Sequence, residues 1–96
     1  MILEVFFNKS ALPAGESTAT GFIEEAATRL GQDLSGGEFK DMGSTLQWQR
    51  EVAASYDAAA FTQSLGTAVK GSGLSAFKTD YYNGGMASIN VRRVPA

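Results

Sequence analysis

Apolar and polar residues alternate over Ile2–Asn8: Leu3, Val5 and Phe7 fall on one side, and Ile2, Glu4, Phe6 and Asn8 on the other. A two-residue period predicts a strand, and apolar residues on both sides predict a central one. Residues 10–16 read as a loop, with Pro13 and Gly15 supplying turn chemistry. The period then lengthens. Ala19, Phe22, Ile23, Ala26, Ala27 and Leu30 recur at helical spacing and form one apolar stripe. Ser17 or Thr18 is the expected N-cap, Gly31 the expected left-handed residue after the last turn, and Glu25 with Arg29 an i,i+4 ion pair.

Gly36-Gly37 interrupts the chain, and a short strand follows over 38–42 with a turn at Gly43-Ser44. Residues 45–54 alternate again. Leu46, Trp48, Arg50, Val52 and Ala54 lie on one side, and Thr45, Gln47, Gln49, Glu51 and Ala53 on the other. Asp57 is placed to cap a second helix whose stripe is Phe61, Leu65, Ala68 and Val69. Residues 76–82 and 86–94 read as two strands of a hairpin joined by Asn83-Gly84-Gly85, since Asn and Gly accept positive φ. The order β-α-β-β-α-β-β over one domain, 1–96, predicts an α+β two-layer sandwich of the ferredoxin-like (split β-α-β) kind. Its sheet is expected to be antiparallel, in the order 2-3-1-4 with the fifth strand beside the fourth, and both helices to cover one face.

Composition narrows the chemistry. The chain has neither cysteine nor histidine, which removes thiolate chemistry, disulfides and the commonest transition-metal ligands. No metal, cofactor or catalytic residue is therefore expected. Net charge is −2, whereas nucleic-acid binders usually carry a basic excess, so direct nucleic-acid binding is disfavoured. No apolar run reaches the length of a membrane span, and the first residues lack the basic start of a signal peptide. A soluble cytoplasmic protein with no membrane partner is the expectation.

Candidate binding residues follow from the strands. With helices over Leu3, Val5 and Phe7, the residues Ile2, Phe6, Met86 and one tyrosine, Tyr82, are expected to leave an apolar patch on the other face. Tyr81 and Tyr82 are adjacent on a strand, so one is expected in the core and the other exposed. Arg92 joins the patch as an anchor, because aromatic and arginine side chains dominate interface energetics. The acidic surface of Glu24, Glu25 and Asp33 is the alternative contact region. Trp48 is expected in the core, with the lining of a pocket as its other role.

The preferred functional reading is a small protein-binding module that modulates or inhibits a larger macromolecular partner. Small acidic inhibitors of phage or bacterial type that block defence or nucleic-acid machinery have this profile. The partner is a protein or a second copy of the chain as a homodimer. Two other readings stay open: a cofactor-independent enzyme or ligand-binding domain on a dimeric ferredoxin-like fold, and a nucleic-acid accessory protein using Lys78, Arg92 and Arg93.

Overall fold

The structure, a computed structural model, describes residues 1–74, 77–82 and 87–95. The elements follow in the order β1 (Ile2–Asn8), a single 3-10 turn (Lys9–Ala11), α1 (Glu16–Arg29), β2 (Glu38–Asp41), β3 (Thr45–Glu51), α2 (Ala58–Gly71), β4 (Thr79–Tyr81) and β5 (Ile89–Val94). The fold is α+β, with a five-stranded mixed sheet and two helices.

Both helices bury the stripes that their spacing defines. Phe22, Ile23, Ala26 and Ala27 of α1 and Phe61, Leu65 and Val69 of α2 join one core with Leu3, Val5 and Phe7 of β1, Leu46 and Trp48 of β3, and Ile89 and Val91 of β5. The helices are tied to each other by a buried hydrogen bond in which Ser64 Oγ donates to Ala26 O at 2.8 Å. Asp57 caps α2, accepting from Ala60 N at 3.0 Å. At α1 the expected side-chain cap is missing. The N-cap is Gly15, at φ 61°, and Thr18 Oγ1 instead accepts from Ala14 N at 2.9 Å, fastening the preceding loop. Gly31 does take the left-handed conformation, at φ 65°.

The last two strands overturn the expected topology. The sheet order is β2-β3-β1-β5-β4, so β5 and not β4 lies beside β1, and β4 forms the edge. β1 pairs antiparallel with β3 and β5, but β4 and β5 run parallel, with Thr79 level with Ile89. Ile89 N donates to Lys78 O at 3.0 Å across this pair. The sheet is therefore mixed, and β4 and β5 are not the arms of a hairpin. The expected Asn83-Gly84-Gly85 turn lies outside the described residues.

Two physical terms favour this order. β5 supplies two fully buried side chains, Ile89 and Val91, whereas β4 has only three residues, with Asp80 and Tyr81 exposed. β5 also carries Arg92 level with Glu4 of β1, while β4 offers Asp80 to the same face, a second carboxylate.

The segments flanking α2 and following α1 are fastened by side chains. Arg93 Nη1 donates to Ala54 O and Tyr56 O at 2.9 and 2.7 Å. The Tyr56 hydroxyl donates to Gln32 Oε1 at 2.6 Å, and Arg50 Nε donates to Ser35 O at 2.8 Å. Gly37 lies against the Trp48 indole so closely that a Cβ there would overlap Nε1 and Cε2.

Two predictions follow from this packing. Among the described residues, a Cβ at Gly66, inside α2, meets only Thr79 Cβ, at an ordinary 3.6 Å. Gly66→Ala should therefore raise stability by about 0.5–1 kcal/mol through helix propensity. Gly37→Ala should lower it, because the Trp48 ring must shift. Urea midpoints check both, and a loss at Gly66 with no change at Gly37 would reverse the packing described. The second prediction concerns Tyr56, whose phenol is pushed above its ordinary value by burial, Arg50 pulling the other way. An acid whose folded value is raised contributes stability that is full below its unfolded value and lost as pH rises through the folded one. Wild-type stability should thus fall more steeply than that of Tyr56→Phe above about pH 10. Parallel curves in an alkaline denaturation series would remove Tyr56 as the cause.

Candidate functional site

The face of the sheet opposite Leu3, Val5 and Phe7 holds the candidate site. Register places Gln49, Glu4 and Arg92 in one cross-strand row, and Gln47, Phe6 and Asn90 in the next. Side chains in such rows stand within reach of each other. Glu4 is the centre. Its Oε1 accepts from Arg92 Nε at 2.7 Å and its Oε2 from Gln47 Nε2 at 2.6 Å. The Glu4 side chain is 9% exposed and that of Arg92 37%. A buried carboxylate is costly unless paired and hydrogen-bonded, and here both oxygens are satisfied.

The same arginine packs on aromatic rings. Arg92 Cζ stands 5.0 Å from the Phe6 ring centroid and 5.3 Å from that of Tyr82. Both distances fall within cation–π range. The stack restricts the guanidinium, and the Nε bond to Glu4 sets its orientation. Beside it lies a cavity of about 380 Å³ bounded by Phe6, Asn8, Thr45, Tyr82, Asn90 and Arg92. Asn90, 7% exposed, donates through Nδ2 to Ala87 O at 2.8 Å. Its Oδ1 is buried with no partner among the described residues.

The structure thus brings Phe6, Tyr82 and Arg92 together, three of the residues expected to bind a partner. Ile2 is half-buried in the same face, in the row of Glu51 and Val94. Met86 lies outside the described residues. The surface is not the apolar patch that the alternation suggested, since buried Glu4, Gln47 and Asn90 occupy its middle. Tyr81 and Tyr82 are both exposed, at 45% and 43%, so neither takes a core position. Tyr81 is level with the buried Val91 of β5, but β4 is the edge strand and the tyrosine stays open to solvent there. Glu4, Gln47 and Asn90 are the residues that sequence reasoning missed. The available signal was an acid inside a strand read as central, which requires a cation on a neighbouring strand.

The alternative acidic surface is divided. Glu25 pairs with Arg29 at 3.3 Å, while Glu24 and Asp33 line a separate cavity that reaches Trp48. Arg92 and Arg93 point to opposite faces, as strand alternation requires, so no basic cluster forms from them. Among the described residues no group of three or more acidic side chains converges as a metal site would, and no helix is long and apolar enough to cross a membrane. Comparison with protein-family models, with curated proteins and with solved structures returned no match.

Arg92→Ala should destabilise the fold by about 1–3 kcal/mol, because it strands the Glu4 carboxylate; the partial exposure of Arg92 keeps the cost below that of a fully buried pair. Glu4→Gln should recover part of that loss in the double variant. A double-mutant cycle with no coupling would show that the pair contributes nothing to stability.

Proposed function

We propose that this chain is a small protein-binding module that docks through the second face of its sheet and so modulates a larger macromolecular partner. The observation that carries the reading is the guanidinium of Arg92, held over the rings of Phe6 and Tyr82 and backed by Glu4. Arginine and aromatic side chains dominate binding energy at interfaces. A side chain already held in place loses little entropy when a partner covers it. Glu4 neutralises the charge from within, so the surface can be desolvated at lower cost than a lone cation.

We take β1-α1-β2-β3-α2-β5 as a ferredoxin-like unit with both helices on one face and β4 as an added edge. In that arrangement the helices use one face of the sheet and the other is left for contact.

The test separates stacking from charge. Arg92→Lys keeps a cation for Glu4 but removes the planar guanidinium that stacks on the rings. With the partner identified by affinity capture, Arg92→Lys and Tyr82→Ala should each weaken its binding by about thirtyfold, the scale of a hot-spot residue. Sedimentation of the isolated chain distinguishes self-association from a foreign partner. Folded variants that retain wild-type affinity in both assays would defeat the proposal.

A further inference from the structure

A second cavity, of about 480 Å³, opens between α1, the segment 32–37 and the β2–β3 pair. Its size lies in the range of small-molecule sites. Trp48, 3% exposed, lines it together with Ile23 and Phe39, and Glu24 and Asp33 bring two carboxylates to the same space. Among the described residues no lysine or arginine lines it. Arg50 lies in the adjoining cavity, which also touches Asp33, and there it donates to Ser35 O and Glu51 O.

The wall of this cavity is fixed before any ligand arrives. Ser35 N donates to Asp33 Oδ1 at 2.9 Å, Arg50 holds Ser35 O, Tyr56 holds Gln32, and Gly37 rests on the indole. The Ser35 hydrogen bonds, with Arg50 assisting, also keep the Asp33 carboxyl below its ordinary value. Preformed walls spare a ligand the cost of ordering them.

We propose that this cavity binds a small organic cation, an ammonium or guanidinium group on an apolar body. The apolar body is covered by Ile23, Phe39 and Trp48, while the charge meets Glu24 and Asp33. An anion is repelled by the same two carboxylates. A neutral ligand of the same shape gains the apolar contact but no Coulomb energy. The site uses none of the residues around Arg92, so its failure and the failure of the sheet-face reading are separable.

Trp48 is the only tryptophan in the chain, so its fluorescence reports on the cavity without a label. The probes are phenethylamine and phenethylguanidine, with 2-phenylethanol as the neutral match and 3-phenylpropanoate as the anion. Both cations should give a saturable change in Trp48 emission, with affinity at least about tenfold above that of the alcohol, a modest share of the Coulomb energy at partly screened sites. The anion should give none. Asp33→Asn retains an oxygen for Ser35 N while deleting the charge. It should weaken amine binding by about fivefold or more, as should Glu24→Gln, whereas Tyr82→Ala should leave it unchanged. The proposal fails if neither cation gives a saturable response, if the alcohol binds as tightly, or if the Asp33→Asn, Glu24→Gln double variant, folded by circular dichroism, binds phenethylamine like wild type.

Discussion

A carboxylate inside the central strand must find a cation, and that requirement organises the sheet. Glu4 has neighbours on both sides, β3 and β5, and takes one hydrogen bond from each: Gln47 on one side and Arg92 on the other. β5 answers the charge with Arg92, whereas β4 presents Asp80 to that face. Seating β5 beside β1 in the register that levels Arg92 with Glu4 also sends Ile89 and Val91 into the core. Charge pairing on one face and apolar burial on the other therefore select the same register. A one-residue slip would destroy both.

This dual selection explains what was legible in the sequence and what was not. The helical stripes, the Asp57 cap, the left-handed Gly31 and the core side of β1 rest on local periodicity and capping chemistry, and they can be read directly. The partners of β5 rest on a contact between residues 4 and 92. Local turn chemistry at Asn83-Gly84-Gly85 argues for pairing with the preceding strand in hairpin fashion, and the long-range terms outweigh it. The start of α1 shows a smaller version of the same conflict. Ser17 and Thr18 are good capping residues by type, but the chain enters through Gly15 and the helix has already begun before either is reached.

The candidate site was legible in its residues but not in its character. Phe6, Tyr82 and Arg92 follow from alternation and from the known weight of aromatic and arginine side chains at interfaces. The buried polar centre of Glu4, Gln47 and Asn90 does not, because each reads as an ordinary outward-facing position until the neighbours are known. The Trp48 cavity was visible only as a possibility attached to one residue. Its carboxylates come from a helix and a loop that periodicity cannot bring together, and its shape depends on Gly37 letting the backbone reach the indole.

The pairing of β1 with β5 has a consequence for the order in which the protein is made. The strand at residues 2–8 emerges before both of its partners, and the first of them, β3, follows some forty residues later. Its second edge then stays open until residues 89–94 have been synthesised. Throughout that interval a central strand with an unpaired edge and an uncompensated carboxylate is exposed to other chains. The charge on Glu4 discourages stacking of identical strands in register, since like charges would be brought face to face. The residue that makes the finished sheet specific thus also keeps the unfinished one from pairing with its copies.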